Sequence, residues 1–106
     1  MVSSSEKNAI KELKEYLIDN YNLTDLRIFG SKVKEIDTSD SDIDIMVMLD
    51  NYDPSTEAKI DSKVFEINLK YDCLISVILY SQEEIEKGPM SESPLYKKIM
   101  KEGLPI

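Results

Sequence analysis

The sequence contains no histidine and only one cysteine, Cys73, among its 106 residues. The absence of histidine excludes imidazole acid–base catalysis and most zinc sites, in which histidine is a common ligand. A single cysteine cannot form a disulfide within the chain, and its place inside an apolar run indicates a small buried side chain. There is no secretory signal pattern and no apolar run near the ~20 residues that cross a bilayer, so a soluble cytoplasmic protein is expected.

Acidic residues outnumber basic ones in this chain, 21 to 13, for a net charge of −8. Five of the aspartates fall in one segment, from Asp37 to Asp50. An acidic domain does not attract nucleic acid by itself, because neutralising phosphates requires Lys and Arg. The small basic cluster of Lys97, Lys98 and Lys101 is interpreted as a solvated helix face. We therefore expect no independent nucleic-acid binding, whereas metal ions or a basic protein partner suit this charge.

The length of the chain and its apolar fraction of 42% are those of one globular domain, residues 1–106, with one small hydrophobic core. A helix signal lies near its start, where Ser3 and Glu6 have the spacing of a capping box. Apolar residues then recur at helical spacing, at Ile10, Leu13 and Leu17. This pattern predicts a first helix that ends near residues 20–22.

Three later helices are predicted from proline, caps and apolar spacing. Pro54 suits the first turn of the second helix. The apolar stripe of this helix consists of Ile60, Val64, Ile67 and Tyr71. A capping box at Ser81 opens a short helix that ends at residues 88–89. Residues 94–102 are predicted to form the last helix, which Gly103 stops.

Three strands are predicted between these helices. The first covers residues 26–29, the second residues 42–49, and the third residues 73–80, which are apolar on both faces and hence expected at the centre of the sheet. Strands 1 and 2 should pair antiparallel, and the crossover through the second helix should place strand 3 parallel to strand 2 or to a near neighbour. The fold class is therefore α/β (α+β), a small mixed sheet with helices packed on one face and the other face open for a site.

Two aspartates in the second strand have a spacing that suits metal binding. Alternation places Asp42 and Asp44 on one face together with Met46 and Met48, and the other apolar residues on the opposite face. The two carboxylates, about 6–7 Å apart at the backbone, repel each other unless a cation lies between them. Hard oxygen ligands of this kind suit Mg²⁺ or Mn²⁺, with substrate phosphates completing the coordination. A third carboxylate nearby would allow two ions to be held.

Ten residues separate Gly30 and Ser31 from this pair of aspartates. Gly30 lets the backbone approach a phosphate without a Cβ atom, Ser31 offers an N–H and a hydroxyl, and Lys32 and Lys34 add positive charge. An isolated pair of aspartates in an acidic chain is often a solvated strand face, and a Gly-Ser pair usually marks a turn. The combination of strand, Gly-Ser, loop and two-aspartate strand, in that order, is more specific than either part.

The segment from Gly30-Ser31 to Asp42-x-Asp44 resembles the signature of the polymerase-beta-like nucleotidyltransferase superfamily. Its spacing is similar to that of the smallest members, the minimal nucleotidyltransferases. The resemblance implies an α/β fold, with Asp42 and Asp44 as catalytic ligands of Mg²⁺ (or Mn²⁺) and Gly30 and Ser31 at the triphosphate of ATP or another NTP. Lys32, whose positive charge follows Gly-Ser, is the third residue predicted to bind the nucleotide. The activity that the resemblance implies is transfer of a nucleoside monophosphate from the triphosphate to an acceptor, and AMP is the monophosphate that we expect.

Two departures from the family pattern bear on catalysis. Many relatives carry a glycine shortly after Gly-Ser, where this chain has Lys-Glu-Ile at residues 34–36. The family also places a third carboxylate on the third strand, and there Asp72 is the acidic candidate for a third catalytic residue and metal ligand. A helix-to-strand turn explains Asp72 equally well. If the matching position is Leu74 or Ser76, the set of three carboxylates is incomplete.

No residue of the sequence identifies the acceptor, but the resemblance suggests that it is a protein. Minimal nucleotidyltransferases are typically encoded beside HEPN-type helical proteins, often as antitoxin and toxin, and such antitoxins can modify the toxin with AMP. We expect no second domain that could hold an acceptor, so a HEPN-type partner is predicted to present it. The alternative is a catalytically weak antitoxin that neutralises a basic helical partner by contact. Met46 and Met48 either offer an adaptable contact area beside the site or pack under the C-terminal helices.

Overall fold

The computed structural model describes residues 3–30 and 42–106. In chain order these residues form α1 (Ser4–Asn20), β1 (Leu23–Phe29), β2 (Ile43–Leu49), α2 (Pro54–Tyr71), β3 (Ile75–Ser81), α3 (Gln82–Lys87), a 3₁₀ helix (Pro89–Glu92), α4 (Pro94–Glu102) and β4 (Leu104–Pro105). The four predicted α-helices are all present. None of the helices in the described part of the chain is both long and apolar enough to cross a membrane.

Local sequence signals set the helix ends. At α1 the Ser3 hydroxyl accepts a hydrogen bond from the Glu6 N–H over 3.1 Å, and the Glu6 carboxylate accepts one from the Ser3 N–H over 2.7 Å, so the predicted capping box is confirmed. The Ser81 hydroxyl accepts a hydrogen bond from the Glu84 N–H at the start of α3, and Gly103 caps the end of α4. The serine bonds satisfy backbone donors that the first turn of a helix leaves unpaired.

The strands of the described residues form one mixed sheet in the order β3-β2-β1-β4. β1 and β2 are antiparallel and β2 and β3 are parallel, as predicted. β1 starts at Leu23 rather than at residue 26. The two-residue strand β4, which the sequence did not suggest, pairs with β1 and places Leu104 opposite Ile28. The chain after α4 is thereby attached to the same strand that leads into Gly30.

The prediction that the third strand is central is wrong, because β3 lies at an edge of the sheet. Its apolar residues have partners on both faces without a second neighbouring strand. Val77 packs against the core on the α2 side, and Ile78 and Tyr80 belong to a cluster on the opposite side. The side-chain amide of Asn68 in α2 bonds the N–H of Ile75 over 2.8 Å and its C=O over 3.1 Å, which satisfies these two backbone groups in place of a strand.

Two clusters of buried side chains lie on opposite faces of the sheet. The main core joins the alternate β2 residues to α1 and α2, through Leu13, Leu17, Ile43, Ile45, Val47, Ile60 and Ile67. The second cluster contains Met46, Met48, Tyr80 and Ile99 of α4. The methionines therefore pack under α4, and the interpretation of them as an exposed contact area is wrong. The predicted fold class is confirmed, with α1 and α2 on one face, while α4 additionally covers part of the face that was expected to be open.

Candidate active site

Gly30 and Asp44 meet where β1 ends. Phe29 pairs with Asp44 across the antiparallel ladder, so the next residue, Gly30, lies beside the Asp44 side chain. Gly30 has a φ of +84°, a backbone conformation that favours glycine. A Cβ atom at position 30 would lie 2.5 Å from Oδ2 of Asp44, closer than any real contact. The backbone conformation therefore favours glycine, and any side chain here would have to displace the Asp44 carboxylate.

Asp42 and Asp44 form the acidic part of the site. Asp42 is exposed immediately before β2, and Asp44 is half-buried within the strand. Burial raises the pKa of the Asp44 carboxyl above its ordinary value, and the negative charge of Asp42 raises this pKa further. No basic side chain in the described part of the chain forms an ion pair with Asp44. A cation placed here would therefore stabilise the charged form.

A cavity of about 230 Å³ opens beside Gly30 and Asp44. One of its walls comes from the end of β1 and the start of β2, and the other comes from α4. The α4 wall consists of Leu95, Lys98, Ile99 and Glu102. α4 therefore belongs to the site, which the interpretation of its lysines as a solvated face had missed. Helical spacing does place residues 95, 98 and 102 on one face, but no local signal says that this face lies across from the aspartates.

The parallel register of β2 and β3 shows which third-strand residue is adjacent to the aspartates. Asp44 pairs with Ser76, which is exposed. Asp72 lies earlier, as the C-cap of α2, in the left-handed conformation with φ 52° and ψ 53°. Within residues 3–30 and 42–106, no three acidic or cysteine side chains are grouped so that they could hold a metal ion. The structure thus brings Asp42 and Asp44 together and does not bring Asp72 to them.

Ser31 and Lys32, which are predicted to bind the nucleotide, lie outside the described residues. The same holds for Lys34, the other cation expected near the phosphates. Their roles stay predictions, whereas Gly30, Asp42 and Asp44 have defined positions.

A larger cavity, of about 590 Å³, lies at the other end of β2 and β3. Its walls come from the residues that follow these strands, among them Asn51, Tyr52, Ser81, Glu84, Lys87 and Met90. A strand of seven residues such as β2 is about 20 Å long, so this cavity is far from Asp44. It contains none of the residues predicted to act on a nucleotide.

Comparisons with known proteins identify the fold and the family. The family model described as "Polymerase beta, Nucleotidyltransferase" matches residues 11–103. A crystal structure from Sulfolobus solfataricus, described as that of a candidate nucleotidyltransferase, is similar over 99% of this chain and 87% of that chain, with a TM-score of 0.50 and 16% sequence identity, and this likeness supports the fold. Among curated proteins, no sequence matches significantly. Because the family model spans most of its length, the chain belongs to the polymerase-beta nucleotidyltransferase family.

Proposed function

We propose that this protein transfers a nucleoside monophosphate, AMP when the donor is ATP, from a Mg²⁺-bound nucleoside triphosphate to an acceptor on a partner protein. The observation that carries the proposal is the contact between Gly30 and Asp44. Backbone without a Cβ atom lies against a carboxylate whose pKa is raised by burial and by the charge of Asp42. A metal ion can bind this carboxylate and hold phosphates beside the turn at Gly30. The family supports nucleotidyl transfer in general. The metal ion, the base of the nucleotide and the acceptor are what we propose in addition.

The donor set fits one magnesium ion that is bound together with a nucleotide. Mg²⁺ is usually held by one or two protein carboxylates and by substrate phosphates, and Asp42 and Asp44 supply two carboxylates. The raised pKa of Asp44 means that its charged form is unfavourable alone, so a divalent ion offsets that cost. When bound, such an ion neutralises charge on the phosphates. A second ion needs another acidic ligand, and none is grouped with this pair in the described part of the chain.

The proposed reaction makes one bond to phosphorus and breaks another. An acceptor hydroxyl oxygen bonds to the α-phosphorus, and the bond from that phosphorus to the oxygen of the β-phosphate breaks, releasing pyrophosphate. Gly30 leaves room for the Asp44 carboxylate, and the α4 wall of the cavity limits where the phosphates can lie. The acceptor hydroxyl must also lose its proton. The chain offers no histidine for this step, and the proposed base is a carboxylate.

The acceptor that we propose is a hydroxyl-bearing side chain of a HEPN-type helical protein, which gives this chain the role of an antitoxin. The resemblance of the Gly30-Ser31 to Asp42-x-Asp44 segment to minimal nucleotidyltransferases encoded beside such proteins supports this partner. The net charge of −8 also supports a basic protein over a nucleic acid.

One observation favours a second function, neutralisation of the partner by contact with little or no transfer. Ser76 rather than a carboxylate lies beside Asp44 in the sheet register, and Asp72 caps α2. Two carboxylates can bind a metal–nucleotide complex and still lack the second ion that activates an attacking oxygen in two-metal sites. The two functions therefore differ in whether the partner is covalently modified.

Intact-mass measurement separates these functions. The protein is mixed with Mg²⁺–ATP and a HEPN-type helical protein as the proposed partner, and the mass of the partner is then measured. Transfer adds one or more AMP units, which Asp44→Asn should abolish. Asp50→Asn is the matched control, because Asp50 is an exposed aspartate directly after the same strand. An unmodified partner in a tight complex supports neutralisation by contact. If the partner is neither modified nor bound, both functions are contradicted.

The predicted role of Asp72 is tested in the same assay. If Asp72 only caps α2, Asp72→Asn should transfer AMP like the wild type, because asparagine also tolerates the left-handed conformation. If Asp72→Asn abolishes transfer while folding and metal binding persist, Asp72 is the third carboxylate of the site.

A further inference from the structure

Lys98 is the one cation among the described residues that line the cavity beside Asp44. Its side chain is exposed, and it forms no ion pair within the described part of the chain. The preceding lysine differs, because Lys97 Nζ lies 2.8 Å from a carboxylate oxygen of Glu92. The charge of Lys98 is therefore available to a ligand in the cavity.

The position of Lys98 relative to Asp44 is fixed by the packing of α4. Ile99, the next residue, is fully buried in the cluster with Met46 of β2. At the end of the helix, a Cβ atom at Gly103 would lie 2.6 Å from the carbonyl oxygen of Ile99 and 3.3 Å from that of Ile28, so the chain passes close to β1 there. β4 then pairs with β1. The α4 wall is thus attached to β2, which contains Asp44, and to β1, which leads into Gly30.

We propose that Lys98 binds the terminal phosphates of the metal-bound nucleoside triphosphate, so that the nucleotide lies between the turn at Gly30 and α4. This inference rests on the proposed function and names a binding residue for it. Lysine is a compact point charge that binds phosphate oxygens well. The residue is separate from the Gly-Ser segment and lies on an element that the nucleotide-binding motif does not include.

The other charges of the cavity determine what kind of anion can bind. Asp44 and Glu102 also line it, and their carboxylates repel a free polyphosphate. A ligand that carries both a divalent cation and phosphate oxygens matches both signs of charge, because the cation faces Asp44 and the phosphates face Lys98. The expected ligand is therefore a metal–polyphosphate complex and not inorganic phosphate or polyphosphate alone.

Calorimetric titration with Mg²⁺–tripolyphosphate tests the phosphate contact without a contribution from the base. We expect Lys98→Gln to weaken binding about tenfold to a hundredfold, the effect of losing a charged hydrogen bond. Lys98→Arg keeps the charge and should recover most of the affinity. Lys101→Gln, an exposed control on the same helix, should bind like the wild type. Mn²⁺ alone should bind Lys98→Gln and the wild type equally, because its ligands are carboxylates.

The outcomes separate the two proposals. If the wild type binds Mg²⁺–tripolyphosphate, Asp44→Asn abolishes this binding and Lys98→Gln leaves it unchanged, the Lys98 proposal is overturned while the proposed function stands. If the wild type binds neither Mg²⁺–tripolyphosphate nor Mg²⁺–ATP, both proposals are overturned. Weaker binding of Mn²⁺ alone by Lys98→Gln also counts against the Lys98 proposal, because the lysine would then act through the carboxylates. A cooperative thermal transition at or above the melting temperature of the wild type confirms that each variant is folded.

Discussion

The carboxylate of Asp44 occupies the space that a side chain at position 30 would need, with Oδ2 only 2.5 Å from the Cβ position of Gly30. Gly30 directly follows β1 and Asp44 lies in β2, and they meet because Phe29 pairs with Asp44 in the antiparallel register of the two strands. The glycine and the second aspartate of the motif therefore constrain each other directly. A substitution at either position is expected to alter the conformation of the other residue.

Gly30→Ala is expected to destabilise the protein and to displace the Asp44 carboxylate. A residue other than glycine at a φ of +84° costs about 1–3 kcal/mol, and the contact with Asp44 adds to this cost. Denaturant unfolding should show a loss of about 2 kcal/mol or more, and Mg²⁺–ATP binding should weaken by about tenfold or more. Gly88→Ala is the matched control at the larger cavity, and it should keep its nucleotide affinity. Wild-type affinity in Gly30→Ala would contradict the arrangement described.

Asp44→Asn is expected to raise the melting temperature in buffer without divalent ions. Burial and Asp42 raise the pKa of Asp44 in the folded state, so its ionisation lowers stability as the pH rises above the unfolded-state pKa. A neutral amide removes this destabilisation at pH 7. Adding Mg²⁺ should stabilise the wild type more than Asp44→Asn, because ligands of the native state raise its stability. Asp50→Asn should melt like the wild type with and without Mg²⁺. A lower melting temperature for Asp44→Asn than for the wild type without Mg²⁺ would contradict the claim that the ionised Asp44 carboxylate destabilises the folded protein.

Glu12 should make stability depend on pH in the acidic range. The hydrogen bond from Lys70, together with that from the Tyr71 hydroxyl, lowers the pKa of Glu12 from 4.5 to about 2. A pKa lowered in the folded state contributes stability above the unfolded value, and this contribution is lost as the pH falls from about 4.5 to about 2. Glu12→Gln should therefore be less stable than the wild type at pH 7, by about 1 kcal/mol or less because the pairs are partly exposed.

Unfolding curves across pH measure this effect. The difference between Glu12→Gln and the wild type should disappear near pH 2 and shrink in high salt. Glu15→Gln, an exposed control on the same helix, should change stability little at any pH. A difference between Glu12→Gln and the wild type that stayed constant down to pH 2 would contradict the ionic origin of the effect.

Ile99→Ala should affect the site as well as stability. Ile99 is fully buried between α4 and the sheet, and removing such a side chain costs about 2–5 kcal/mol. Because α4 forms one wall of the cavity, we expect weaker Mg²⁺–ATP binding at temperatures where the variant is still folded. Ile67→Ala removes an equally buried side chain from α2 and should cost a similar amount without changing affinity. Equal loss of affinity in both variants would mean that α4 has no special role.

Features that depend on neighbouring residues could be predicted from the sequence. The Ser3 capping box, the end of α4 at Gly103 and the alternation of β2 all depend on residues within a few positions of one another. The pairing of β1 with β2 and of β2 with β3 followed from element order and crossover rules.

Features that depend on distant contacts were missed. An apolar strand has the same sequence pattern at the centre of a sheet as at its edge. At the edge, Asn68 bonds backbone groups of β3, and the apolar side chains of β3 pack on both faces. The register that places Ser76 beside Asp44 is likewise set by pairing and not by local pattern. Lys98 belongs to a helix face that spacing can define, but only the packing of α4 on β2 shows that this face lines the cavity.

Binding of a metal–nucleotide complex by Asp42 and Asp44 beside Gly30 is the basis of the proposed function. Calorimetric titration of ATP with and without Mg²⁺ measures this binding. The proteins to compare are the wild type, the double variant Asp42→Asn/Asp44→Asn and the control Asp50→Asn. We expect Mg²⁺-dependent binding to the wild type and to Asp50→Asn, and loss of this binding in the double variant. Equal binding by the wild type and the double variant, or binding that does not depend on Mg²⁺, would contradict this expectation.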